Sequence, residues 1–374
     1  MENNNNCEFI IPSPIVDYKE EEALKKLTEK YEKLLEPSIV KKGTTFIGDK
    51  AKKLIPAKIK DAGGKLVNNI SEKELYANVL KTVVSAFGTI EKIAAKYTLS
   101  RTFILKKINK KQDNPITSFK EVTLLRSYDI ARTIDLSNNI NIATAFTEGG
   151  LFGLGGFGVL PFNIAVSMFL YFRAVQNVAL YYGYDIKGNP DELEIASEVF
   201  INALSPSNND ANEMGNIIGK VMIIAEFDGL KGMANKSWAE WAAEGGVALL
   251  ICQLRALANK AAKDALEKVG KKGLEESIFV RVLTKLGESL TKEASAKVLP
   301  YVAGAIVGAA FDTVQMNKII TYANIFYQKR FILEKEMRIN ELLGINEAFN
   351  YVDYTEASYE EIAVETNNAV LDED

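Results

Sequence analysis

Residues 149–172 read GGLFGLGGFGVLPFNIAVSMFLYF and carry no charged side chain. A run of this length satisfies the rule of about 20 apolar residues for crossing a bilayer. Six glycines crowd its first half, however, and Pro161 stands in its middle. Glycine is a poor helix former and proline breaks a helix interior, so a plain spanning helix is excluded. The run divides into a glycine-rich turn from Gly149 to Gly158 and a helix that starts near Pro161, a favourable first helical position. That helix carries one narrow polar stripe. Asn163, Ser167, Arg173 and Asn177 fall within about a third of the circumference at 3.6 residues per turn. A helix apolar over the rest of its surface is buried, in protein or in lipid. Arg173 then needs a partner, and Glu148, just before the glycines, is the candidate. The helix closes at Tyr181-Tyr182-Gly183-Tyr184-Asp185, with Gly183 as the expected C-cap.

A second uncharged run spans Val298 to Phe311 and holds Gly304 and Gly308 as G-x-x-x-G. It is too short to span. Glycines let helix backbones approach closely, in a packed core or in lipid, and both readings stand at this point. Asp312 follows and interrupts an apolar face. Gly153, Gly155 and Gly158 formally satisfy G-x-G-x-x-G, but the flanks read as helix and Asp185 lies beyond the usual spacing for a ribose-binding acid. No dinucleotide site is expected. Gly215 to Lys220 is one residue short of a phosphate-binding loop and lacks the following hydroxyl.

The composition narrows the chemistry. The chain has 374 residues, no histidine and two cysteines. Lack of histidine removes Ser-His-Asp and Cys-His catalysis and His-ligated zinc. Cys7 and Cys252 make neither a disulfide framework nor a zinc site, which suits a reduced compartment. No catalytic, metal or cofactor-binding residues are expected. A mean hydropathy of −0.03 is too low for a multi-span membrane protein. The Asn-rich start has no signal-peptide pattern. The expected location is cytoplasmic, peripheral on the inner face of the membrane. Charge is distributed unevenly: residues 41–130 hold 19 Lys/Arg against 8 Asp/Glu, whereas no basic residue follows Arg338 and residues 347–374 hold nine acids.

Apolar residues recur at helical spacing along the chain, and no strand-like alternation appears. The fold class is all-α, a multi-helix globular bundle with the two Gly-rich apolar segments packed centrally. The expected organisation is a disordered leader (1–13), one helical domain (14–344) and an acidic tail (345–374). The domain has a basic portion (14–134) and a Gly-rich apolar portion (135–344). Helix is expected around Leu24 to Leu35, from about Ser71 to Tyr97, from Ser118 to Phe146 and from Pro190 to Leu204. Further helices are expected near 211–227, 237–269, 274–299 and 301–343. Residues 106–114 read as a basic link. Arg330, Glu334 and Arg338 read as a charge ladder on a helix surface.

In four stretches the sequence resembles the EcsC protein family. These are EGGLFGLGGFGVLPFNIA, RAVQNVALYYGYD (Arg173 to Asp185), the acidic-apolar helix after Pro190, and LPYVAGAIVGAAFDTVQMNKIITYANIFYQKRFILE (Leu299 to Glu334). The likeness covers about Pro56 to Gly344. The family often has Asp where Asn163 stands and Asn where Asp312 stands. The family name comes from an operon that also encodes an ABC transporter, so the resemblance implies association with a membrane or a transport process. It supplies no catalytic residues.

Three functions are compatible with these residues. The first is a non-enzymatic protein that binds an anionic membrane surface or a membrane transport complex. The second is a helical protein holding an apolar, lipid-like ligand. The third is an enzyme that uses carboxylates such as Glu148, Asp312 or Glu334. Nucleic acid is not an expected partner, because the basic stretch has little aromatic interleaving.

Overall fold

The computed structural model describes residues 9–35, 72–112, 114–134, 160–204, 212–226, 245–291 and 309–345. Glu148, the glycine-rich turn, Gly304, Gly308, residues 1–8 of the leader and nearly all of the acidic tail lie outside them. Asn163 and Asp312 sit on helices, but their side chains lie outside the description.

Among the described residues the chain is helical and forms no strand. The helices are α1 (Tyr18–Leu35), α2 (Glu72–Ala94), α3 (Arg101–Asn109), α4 (residues 127–134), α5 (Leu160–Tyr181), α6 (Pro190–Leu204), α7 (Glu213–Ile223), α8 (Gly246–Thr291) and α9 (Ala309–Leu343). Local chemistry sets most of the boundaries. Asp17 and Glu20 cap α1 reciprocally, each side chain accepting the other's backbone N–H. Asn189 accepts from the N–H of Asp191 at the start of α6, with Pro190 in the first turn. Asn212 accepts from Gly215 at 2.8 Å to open α7. Gly183 takes φ +79°. Its N–H bonds to Leu180 O, and the Tyr184 N–H bonds to Ala179 O, the paired arrangement that closes a helix on a left-handed residue. Gly344 closes α9 in the same way.

Two expectations need revision. Residues 118–146 do not form one helix. Phe119–Leu124 form a 3-10 turn, the chain breaks at residues 125–126, and helix resumes at 127. Glu121 closes a capping box at the start of the 3-10 turn, and Leu125, in extended conformation, ends it. The Glu121 carboxylate turns back to accept from the N–H groups of Thr117 and Ser118 and from the Thr117 hydroxyl. The basic link is also partly helix, because α3 runs on to Asn109. The long α8 breaks at Gly270 (φ +67°), where the sequence separates two helical patterns.

Three helices fill the centre. Residues 164–181 of α5 and 191–204 of α6 are all buried, as are residues 325–335 of α9. α5 packs on α2, α9 and α6, while α8 lies against α6 and α2. Among the described residues α5 holds the one stretch long and apolar enough to cross a bilayer, and here other helices cover it. Phe169 and Phe172 of α5 anchor the packing. Phe169 meets Phe87 and Phe279 edge-on at 5.2 and 4.9 Å, and Phe172 stacks on Phe279 at 5.9 Å. Such pairs add about 0.5–1.5 kcal/mol each beyond burial.

Candidate functional site: a buried ionic network around the last helix

The polar stripe of α5 is used for packing contacts. Arg173 donates to Glu275 of α8 at 2.7 Å and to Gln176 at 2.8 Å, and Gln176 also reaches Glu275. Its described partner is therefore Glu275, supplied after the Gly270 break, and the expected partner Glu148 lies outside the described residues. Asn177 donates to the Tyr97 carbonyl and accepts from the Leu99 N–H. It thereby fixes the link between α2 and α3. The Tyr182 hydroxyl bonds to Asn324 of α9 at 2.8 Å.

The densest polar cluster lies on α9, at residues read from sequence as a surface ladder. Arg330 and Glu334 are fully buried. The Arg330 guanidinium makes two parallel bonds to the Glu192 carboxylate, at 2.7 and 2.8 Å, and its Nε donates to Glu334. Glu334 accepts in addition from Arg255 at 3.0 Å and from the Tyr184 hydroxyl at 3.2 Å. Arg255 also pairs with Glu341. The guanidiniums of Arg330 and Arg338 both lie over the Tyr184 ring, at 4.1 and 4.4 Å. Arg338 donates to the carbonyls of Tyr182 and Gly183. The ladder reading fails because α9 is central: charges one turn apart along a helix face say nothing about what covers that face.

Two lysines complete the cluster. Lys335 donates to both oxygens of Glu20, which also accepts from Arg126 and the Ser127 N–H. Lys329 donates to the Thr28 hydroxyl and to the carbonyls of Met222 and Ile224, where α7 ends. A cation suits the negative end of a helix.

Burial alone would raise the Glu334 pKa, but Arg255 and Arg330 outweigh it and hold the carboxyl at about 2. Burial lowers Lys335 to about 8 against the pull of Glu20, and Lys329 to about 7 against a weaker pull from Glu32. Glu334 is therefore an anion at neutral pH with no proton to give. Around Glu334 three arginines (255, 330, 338) stand against three glutamates (192, 334, 341), so the charges balance in that part of the cluster. It is built to fix α9 against α1, α6 and α8. α6 is held in the same way on its other side, where Glu194 pairs with Arg281 and Glu198 with Lys285. Among the described residues no group of three acid, cysteine or histidine side chains is placed to hold a metal ion.

A family model described as the EcsC protein family matches residues 19–332. The chain belongs to the EcsC protein family. No curated protein and no solved structure matches it. The EcsC match begins at residue 19, well before Pro56, and takes in α1 with Glu20. It ends at Ile332, so Arg330 falls within it and Glu334 lies just beyond.

Gly183 ties the EcsC helix α5 to this network. A Cβ there would lie 2.8 Å from Arg338 Nη2 and 3.0 Å from Val122 Cβ, at a backbone conformation that side chains rarely adopt. Gly183→Ala is expected to cost about 2–3 kcal/mol, the sum of left-handed strain and displaced packing. Urea unfolding measures it, and a loss below about 0.5 kcal/mol contradicts this account of the corner.

Sequence reasoning missed Glu20, Glu192, Arg255, Glu275, Lys329 and Lys335. Charge at helical spacing is visible for most of them. Their partners are remote: Lys335 and Glu20 stand 315 positions apart.

Proposed function

We propose that this EcsC protein acts by binding, not by catalysis, and that it docks peripherally on an anionic membrane surface through the basic side formed by the end of α2, by α3 and by the turn after it. One observation carries this reading. Residues 92–120 hold eight Lys/Arg and one acid, and Lys92, Lys96, Lys106, Lys110, Lys111 and Lys120 are exposed. α3 turns Ile104 and Ile108 inward, which puts Lys106 on the solvent side, with Lys110 one turn further on. The following chain laps back over α3: Asn109 bonds to both the N–H and the carbonyl of Ile116, and the Arg101 guanidinium lies over the Phe119 ring. Lys120 is thus brought alongside. Near an anionic bilayer each suitably placed lysine contributes about 1 kcal/mol, and the attraction fades within a Debye length of roughly 8 Å at physiological salt. The buried network supports a binding role indirectly, since its carboxylates are held in ion pairs. The transport setting implied by the family name fits a peripheral protein beside a membrane complex.

Flotation with phosphatidylcholine vesicles, with and without phosphatidylglycerol, tests the reading. The protein should float with the anionic vesicles at low salt and be released by high salt. A triple variant, Lys106→Glu, Lys110→Glu and Lys111→Glu, should lose at least tenfold in affinity, since about 1 kcal/mol per lysine is removed. A wild-type protein that ignores anionic vesicles at low salt refutes the reading.

A further inference from the structure

We propose that the acidic C-terminal segment, residues 346–374, folds back onto the basic side of α3 and competes there with the anionic surface. The competitor rests on the membrane reading above; the intramolecular contact does not. Charge complementarity is the first ground. The segment carries nine Asp/Glu and no Lys/Arg, against eight Lys/Arg and one acid over residues 92–120.

The place where the described chain ends is the second ground. Near its C-terminus α9 lies over the Gly183 corner, where Arg338 donates to the carbonyls of Tyr182 and Gly183. Val122 meets the same corner, and α9 packs along the 3-10 turn Phe119–Leu124 that bears Lys120. Arg101, the first residue of α3, pairs with Asp185, two residues past Gly183. The end of α9, this corner, the turn and α3 therefore adjoin. From Arg338 to Ile345 is about two helical turns, or roughly 10 Å. The 29 residues beyond Ile345 can reach up to about 100 Å when extended, several times the ~13 Å length of α3. Covalent attachment then gives the acidic segment a high local concentration at the basic side.

A rival target exists on α8, where Lys268, Lys271 and Lys272 are exposed around Gly270. Glu267, Glu275 and Glu276 are interleaved with those lysines, which weakens the local field. The α3 side is interrupted less, by Asp113 in its sequence and by Asp185, which pairs with Arg101.

Carbodiimide crosslinking of the full-length protein tests the contact, because it joins a carboxylate to an adjacent amine. Peptide mapping should find amide links from the segment's acids to Lys106, Lys110, Lys111 or Lys120, within the monomer and lost at high salt. Links from the segment to other lysines instead, or links confined to a crosslinked dimer, overturn the proposal. The companion measurement uses the full chain with the nine acids changed to their amides. That protein should bind phosphatidylglycerol vesicles several-fold more tightly than wild type. Equal binding by the two, with Lys106→Glu weakening both, overturns the competition. If neither protein floats, the membrane reading fails, and the crosslink map alone upholds or overturns the fold-back.

Discussion

Arg330→Met is expected to destabilise the protein by about 3–5 kcal/mol, enough to abolish most of the stability of an ordinary domain. The guanidinium is fully buried and holds two carboxylates, Glu192 by a bidentate bond and Glu334 through Nε. Methionine fills similar space and removes the charge. Glu334 would keep Arg255 and the Tyr184 hydroxyl, whereas Glu192 would lose its guanidinium partner in a dry site. The cost arises from that stranded charge more than from the lost bonds. A second substitution separates the two causes. Arg330→Met combined with Glu192→Leu removes both members of the pair and should recover at least half of the loss, because buried pairs often break even against apolar replacements. Chemical denaturation of the wild type, both single variants and the double variant gives the coupling energy. Additive losses, with no recovery in the double variant, would show that Arg330 acts by packing alone.

Raising the pH from 7 to 10 is expected to stabilise the fold, by up to about 4 kcal/mol. The source is Lys329, whose ammonium is buried among the Thr28 hydroxyl and two backbone carbonyls. Burial lowers its pKa to about 7, and Glu32 of α1 only partly offsets this. An unfolded chain keeps that proton until about pH 10.4. Between the two values the unfolded state binds more protons than the folded state, so raising the pH favours folding. Below pH 7 both states hold the proton, and the full penalty of burying the charge is present. Lys335, lowered to about 8, adds to the rise from that pH upward. The buried tyrosines Tyr322 and Tyr327, whose pKa burial raises well above 10, act in the opposite direction, but only as the pH approaches 10, where unfolded tyrosines begin to ionise. Unfolding free energies from urea titrations at successive pH values should climb by about 1 kcal/mol per unit between pH 7 and 8, and more steeply above. Lys329→Met should flatten the step between pH 7 and 8, whatever its effect on absolute stability. A wild-type midpoint that is flat or falls from pH 7 to 9 contradicts a buried, easily discharged Lys329.

The fold was legible in the sequence where the signal is local. Asn189-Pro190 announces the start of α6, and Gly183 ends α5 in the conformation that glycine favours. The separation of two helical patterns near Gly270 corresponds to a real break. Glu121 was harder to read, because a carboxylate that returns to its own turn is indistinguishable in sequence from one that points into solvent. The candidate site was legible only in part. Arg173, Asn177, Tyr182 and Gly183 were singled out and do hold structural contacts. The charged face of α9 was noticed but assigned to solvent, since hydropathy counts a charged side chain as exposed unless its partner is known. The partners come from α1, α6 and α8, and no spacing rule connects them.

The sequence by itself determined the all-helical class, the start of a helix near Pro161, and the burial of that helix, because propensity, capping and periodicity act within a few residues. Tertiary structure decided what buries that helix, with protein packed around it at every described position from Ile164 to Tyr182. It also decided which charges meet. Arg330 finds Glu192, and Lys335 finds Glu20, through contacts between helices far apart in the chain. Periodicity gives the direction a side chain faces, whereas the energy of a buried charge depends on the group across from it.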